Sequence, residues 1–285
     1  MKWQFKTISL AGLEPFARGT TAECYRLDDE TILKLYYRKY PESRVQLEKK
    51  RAREALIVGI PTAISFDMVQ VEDRSGVIYE AVNGPTVSEQ IIAQPATAFE
   101  TGKICAQIAS VIHSAEGRKT GLPPASEKYR IALQKQDYLP KSTVSDMEAF
   151  LDELDQENRY VHGDFNTNNI ILTPDGPIFI DIGMLSTGSP LFDMATVCFS
   201  LFESPEAVET KDGGRSRFSG LSRRECLVFW DGLRTAYFHG EPENETAERL
   251  RKIVLLRKMR FEILKRNYLS PEYCQSVRDE VRKVF

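Results

Sequence analysis

The sequence has little of what marks several large protein classes. No apolar run approaches the ~20 residues of a membrane-spanning helix, so a membrane partner is not expected. The opening MKWQFKTISLAGLEPF has no apolar core and no small-residue cleavage site, so no secretion signal is read there. Cys24, Cys105, Cys198, Cys226 and Cys274 stand far apart without a C-x-x-C pair, and there are only 3 histidines. That argues against a disulfide scaffold or a zinc cluster and fits reduced, buried thiols in a cytoplasmic protein. Lys and Arg number 38 against 41 Asp and Glu, a net charge of −3, too small to draw the whole chain to nucleic acid. Neither G-x-G-x-x-G nor G-x-x-x-x-G-K-[ST] occurs, and no repeat or low-complexity tract is seen.

What is present is an ordinary globular composition, 42% hydrophobic and 28% charged over 285 residues, enough for one large domain or two lobes. The first third reads as strand: 22–27 after the turn Arg18-Gly19-Thr20-Thr21, then 31–37, 63–71 and 77–82. A helix is predicted from Pro41 to about Val58, stopped by Gly59 and Pro61. Asn83-Gly84-Pro85 breaks the chain, and helical periodicity dominates afterwards. Helices are predicted over 97–115, 147–154, 190–202 and 243–267, with a hairpin at 169–181 and a polar loop at 204–222. The domains expected are 1–83, small and β-rich, and 84–285, larger and helical. A cleft between such lobes is a usual ligand position.

The stretch His162-Gly-Asp-Phe-Asn-Thr-Asn-Asn169 places four short polar side chains beside the aliphatic Ile170-Ile171-Leu172. Buried oxygens there need partners. Pro174-Asp175-Gly176 is a strong turn, and with Asp175 as its centre Asn169 faces Asp181, Cβ atoms roughly 5 Å apart. Two oxygen ligands at one end of an apolar hairpin suit a hard cation such as Mg²⁺. Asp164, in the loop leading to the same point, suits acceptance of a proton from a substrate hydroxyl. Asn166 and Asn168 need no more than loop hydrogen bonding.

H-G-D-x-x-x-x-N, a hairpin and I-D-I-G together resemble the catalytic and metal-binding loops of the aminoglycoside phosphotransferase/choline kinase group, itself similar to protein kinases. The resemblance implies an α+β, bilobal protein-kinase-like fold with a small β-rich N-lobe and a larger helical C-lobe. It implies Asp164 as catalytic base, Asn169 and Asp181 as Mg²⁺ ligands, and His162 as a brace for the loop. It gives Asp193 of SPLFDMA a supporting role at the start of the next helix. The cofactors implied are ATP and Mg²⁺.

Phosphoryl transfer needs positive charge on the nucleotide phosphates. Lys34 shares a strand face with Ile32 and Tyr36, and Glu54 on the next helix is its expected partner, with Glu48 as the alternative. Gly19, Thr20 and Thr21 are the expected phosphate-covering amides. The segment 78–84 resembles the family's hinge, which implies Glu80 and Val82 as the positions whose backbone meets adenine. His113 reads as a core or capping residue. The many Lys and Arg of 243–267 read as the wet side of a packed helix. The short Met184–Pro190 segment and the lack of an A-P-E motif favour a small-molecule hydroxyl acceptor over a peptide. Glu203, Glu206 and Glu209 would suit a cationic amine. Two readings stay open beside the small-molecule kinase: a catalytically weak nucleotide-binding module, and a protein kinase.

Overall fold

The computed structural model describes residues 6–117, 121–208 and 214–285. The chain divides into two compact units, one running to Gly84 and including Ile171–Leu185, the other comprising Pro85–Ile170 and Ser186–Phe285. The first of these boundaries falls within Asn83-Gly84-Pro85. Assigning everything after residue 83 to the second domain needs correction, because 171–185 packs with the first unit. Phe179 explains this: its N–H donates to Pro61 O (2.9 Å), while its C=O accepts from Ala63 N–H (3.3 Å) and the Thr62 hydroxyl (3.1 Å).

The first unit is built on a six-stranded sheet in the order β1-β5-β6-β4-β3-β2. Its strands are β1 (Lys6–Thr7), β2 (Ala17–Arg18), β3 (Ala22–Arg26), β4 (Thr31–Tyr36), β5 (Ser65–Val71) and β6 (Arg74–Glu80), with helix α1 (Glu42–Ile57) between β4 and β5. Side chains of β4 alternate faces. Leu33 and Leu35 join Tyr25, Val69 and Val71 in one core cluster. The intervening Lys34 lies on the other face, in register with Cys24 and Val77. The strands β8 (Ile170–Thr173) and β9 (Gly176–Phe179) pair as a two-stranded ladder. Their turn is the two residues Pro174 and Asp175, so its centre falls between them rather than on Asp175. Gly176 supplies the positive φ of 124° and the Thr173 hydroxyl donates to its carbonyl at 2.7 Å.

The second unit is helical: α2 (Val87–Ala93), α3 (Ala98–Ser114), α4 (Glu127–Lys135), α5 (Lys141–Asp155), α6 (Leu191–Cys198), α7 (Pro205–Val208), α8 (Arg223–Tyr237), α9 (Asn244–Lys265) and α10 (Pro271–Val284). The one-turn α7 interrupts the loop expected over 204–222. Strands β7 (Arg159–Val161) and β10 (Ser186–Gly188) pair antiparallel, Val161 opposite Ser186. Helices α3 and α8 cross at reciprocal glycines. A Cβ on Gly102 would lie 2.2 Å from Phe229 O, and one on Gly232 only 2.0 Å from Phe99 O. Only backbone fits at that crossing.

The charges of α9 are not all on a wet side, contrary to the sequence reading. Lys258 is buried, its ammonium between Glu203 (3.1 Å) and Glu280 (2.6 Å). Glu262 is fully buried and receives Arg266 and Arg278, both at 2.8 Å. Because its apolar residues spread round the helix, sequence periodicity could not single out a charged face. No helix among the described residues is long and apolar enough to cross a membrane.

Candidate active site

In the first unit the site grows from Lys34. Its ammonium lies 2.7 Å from Glu48 Oε1 and 2.8 Å from Asp181 Oδ1, with the side chain 12% exposed. The carboxylate paired with Lys34 is Glu48, and the expectation of Glu54 is corrected. The buried residues of α1 are Val45, Glu48, Ala52, Glu54 and Ala55, so burial does not separate the two glutamates and the Lys34 contact does. Glu54 is six residues beyond Glu48, roughly 120° round the helix at 3.6 residues per turn. The apolar neighbours that pointed to Glu54 are not core: Ile57 is 54% exposed. Burial disfavours the Lys34 charge, but Asp181 and Glu48 outweigh it and the net shift is upward, so Lys34 is a cation at neutral pH. The Tyr79 hydroxyl donates to Glu48 Oε1 at 3.2 Å. Gly183 leaves room for the same carboxylate, since a Cβ there would sit 2.6 Å from Glu48 Oε2. Asp181 adopts a left-handed backbone, φ 56° and ψ 50°. That conformation is uncommon outside glycine and costs on the order of 1–3 kcal/mol.

Of the three amides expected over the phosphates, that of Gly19 donates to Ala22 O at 2.9 Å and closes the β2–β3 turn. Thr20 and Thr21 keep amides with no backbone acceptor among the described residues. Their carbonyls accept from the Tyr40 hydroxyl (3.3 Å) and the Tyr37 N–H (3.0 Å). At the hinge, the Glu80 N–H donates to Ile64 O at 2.9 Å, and Val82 makes no backbone hydrogen bond among the described residues.

In the second unit, β7 delivers the chain to His162–Asn169. Asp193, fully buried in the first turn of α6, organises this loop. Its carboxylate accepts from the backbone N–H of His162 (2.7 Å) and Gly163 (2.8 Å), and pairs with His113 Nε2 at 3.1 Å. His113 Nδ1 meets the Tyr237 hydroxyl at 2.7 Å. His162 is fully buried, and its Nδ1 accepts from the Asp164 N–H at 3.3 Å. The Asn169 amide donates to Asp164 O (2.9 Å) and Oδ2 (3.1 Å). Asn166 and Asn168 form loop contacts, including Asn166 Nδ2 to Asp164 O and Asn168 N–H to Asn166 Oδ1, each 2.9 Å. The Asp164 side chain, 41% exposed, is the one carboxylate of the loop left facing outward.

The profile of the phosphotransferase enzyme family matches residues 12–226. The chain belongs to that family. No curated protein matches it by sequence. Solved structures share its protein-kinase-like α+β fold at low identity. The putative fructosamine-3-kinase from Haemophilus somnus is 14% identical with a TM-score of 0.60, covering 96% of this chain and 90% of its own. The aminoglycoside phosphotransferase APH(3'')-Id from Streptomyces rimosus, in complex with ADP and streptomycin, is 19% identical with a TM-score of 0.54, covering 88% and 93%. APH(2")-IIa, in a ternary complex with streptomycin and ATP, is 14% identical with a TM-score of 0.56, covering 95% and 90%.

His113, read from the sequence of this phosphotransferase as a core or capping residue, is buried and is the third donor on Asp193. Two residues beside the loop were not foreseen. Lys128 of α4 donates to Gly163 O at 2.9 Å. Arg257 of α9 reaches Asp164 Oδ1 at 3.4 Å. Burial, with Arg257 and Arg260 close by, pushes the Lys128 ammonium down to about 7. The one available signal was the i, i+3 spacing of Arg257 and Arg260, which puts both on one helix face.

Proposed function

We propose that this family member transfers the γ-phosphoryl group of ATP to a hydroxyl of a small molecule. The observation that carries the reading is Lys34, buried between Glu48 and Asp181, a fixed cation of the kind that phosphoryl transfer needs on nucleotide phosphates. Thr20, Thr21 and the Val82 backbone serve the rest of the nucleotide in this reading. Asp164 orients the acceptor hydroxyl and takes its proton as the oxygen attacks phosphorus. His162, Asp193 and His113 hold Asp164 in place.

Asn169 and Asp181 fit a Mg²⁺ ion by the chemistry of their donors, one amide oxygen and one carboxylate, both hard. The Asn169 Nδ2 is engaged with Asp164, which leaves its Oδ1 as the ligand atom. When bound, the ion would neutralise charge on the phosphates. Among the described residues no group of three or more His, Cys, Asp or Glu could hold a metal. A Mg–nucleotide site does not require one, because phosphate and water supply the other ligands. Free thiols at all five cysteines support a cytoplasmic location.

The test is ADP release with Mg–ATP and a pooled metabolite library, run on wild type and Asp164→Asn. The variant should keep its fold and its nucleotide-induced rise in melting temperature, and lose about 10²–10⁴ in turnover. Equal turnover in the two proteins removes the role given to Asp164.

A further inference from the structure

Resting on the phosphotransfer reading, we propose that the acceptor alcohol carries an anionic group, a carboxylate or a phosphate ester, received by Arg257 and Arg260 beside Asp164. The two oxygens of Asp164 face different surroundings. Oδ2 takes the amide of Asn169, the proposed metal ligand, at 3.1 Å. Oδ1 faces the Arg257 guanidinium at 3.4 Å. The cations therefore sit at the oxygen of Asp164 that Asn169 leaves free, and the proposal brings the acceptor there.

These cations are under-neutralised. The Arg257 contact is long for a charge-assisted hydrogen bond, which is ordinarily about 2.7–2.9 Å. Its side chain is 13% exposed and rests over the Phe199 ring at 5.4 Å, with Nε buried and unpartnered among the described residues. Arg260, one turn along α9, makes no hydrogen bond or ion pair among the described residues. Burial and the nearby Arg257 both disfavour its charge. The Tyr129 hydroxyl, close enough to Arg260 to bear on that charge, is also buried without a hydrogen-bond partner among the described residues. Lys128 adds a third amine on Gly163 O. Against these three stand Asp164 and, for Lys128, Asp193, which already receives three donors. Partly desolvated like charges are costly unless a counter-charge joins them.

The neighbouring cavity has the same sign. It encloses about 580 Å³ and is lined by Phe218, Phe261, Tyr268 and Leu269, with Arg217 and Lys265 as its charged residues among those described; the Glu206 side chain and Glu209 lie outside the described residues. Phe218 ties it to the catalytic loop, its carbonyl accepting from Asn168 Nδ2 at 2.8 Å. The Phe261 ring lies 5.4 Å from that of Phe199, on which Arg257 rests. Glu203, an acid that would suit an amine, is held by Lys258. A polycationic acceptor would meet Arg257 and Arg260 beside Asp164, and Arg217 and Lys265 in the cavity. With an anionic alcohol, the arginines hold the anion and the hydroxyl lies against Asp164. The new O–P bond forms as the bond from γ-phosphorus to the bridging oxygen breaks, the proton passes to Asp164, and ADP leaves.

The test separates binding from chemistry. Malonate and inorganic phosphate are titrated calorimetrically, at constant ionic strength, into wild type, Arg260→Gln and Arg260→Lys. Acceptors matched in size but neutral, cationic or anionic (glycerol, 3-aminopropane-1,2-diol and glycerate, with larger homologues) are compared by kcat/KM. The expected result is malonate or phosphate binding that weakens about tenfold in Arg260→Gln, the loss of one charge-assisted contact, and recovers in part in Arg260→Lys. The anionic alcohols should be preferred, and Arg260→Gln should raise their KM while leaving the KM for ATP unchanged. Anion binding that is absent or insensitive to Arg260, a preference for cationic alcohols, or an effect confined to the KM for ATP overturns the proposal. Anion binding of the expected kind without Mg–ATP-dependent transfer to any alcohol overturns the phosphotransfer reading instead and leaves the anion site standing.

Discussion

Replacing Asp193 by Asn changes one oxygen to NH₂ with almost no change of shape. In the wild type Oδ1 accepts from Gly163 N–H, while Oδ2 serves both His162 N–H and His113 Nε2. Whichever way the Asn amide turns, its NH₂ faces a buried backbone N–H, so one donor loses its acceptor. Leaving such a group unsatisfied costs about 1–3 kcal/mol, and the remaining bonds lose their charge assistance, for a total of roughly 2–5 kcal/mol. For a unit of this size that is a fall in melting temperature of roughly 5–15 °C. Burial would raise the Asp193 carboxyl, but the His113 ring, with help from His162 and the Gly163 amide, holds it below the ordinary carboxylate range. A lowered folded-state pKa stabilises above the unfolded value of about 3.9, and that stability is lost as pH falls through the folded value. Calorimetric scans should show a constant gap between wild type and Asp193→Asn from pH 5 to 8, closing as pH drops below about 4. Turnover should fall too, because the loop bearing Asp164 loosens. A variant melting within about 2 °C of wild type at pH 7 would refute the network argument.

Three other outcomes follow from the geometry. Glu48→Gln should raise the KM for ATP by about tenfold or more, through loss of a charge-assisted contact to Lys34, and Glu54→Gln should change it far less. Steady-state kinetics on the pair decide whether Glu48 has the role assigned. Gly183→Ala should displace Glu48 and weaken nucleotide binding in the same direction, read by titration with an ATP analogue. Gly102→Ala gains up to about 1 kcal/mol of helix propensity but drives a methyl into Phe229 O. Overpacking of about 1–3 kcal/mol should win, and a neutral or higher melting temperature would show that the helices separate freely.

What the sequence determined by itself was local. Alternation along 31–36 put Lys34 opposite Leu33 and Leu35, and Pro174-Asp175-Gly176 required a turn. The H-G-D-x-x-x-x-N and I-D-I-G runs pointed to a kinase-like chemistry by family resemblance, each being a short run legible whole in the sequence. The tertiary structure alone decided the partners. Glu48 and Glu54 are both buried glutamates on one helix, and only the way α1 packs selects Glu48. His113 and Asp193 are 80 residues apart, and Arg257 and Asp164 are 93 apart. Contacts of that range follow from how helices pack rather than from any periodicity, and a charged residue brought beside a catalytic loop looks, in sequence, like one facing water.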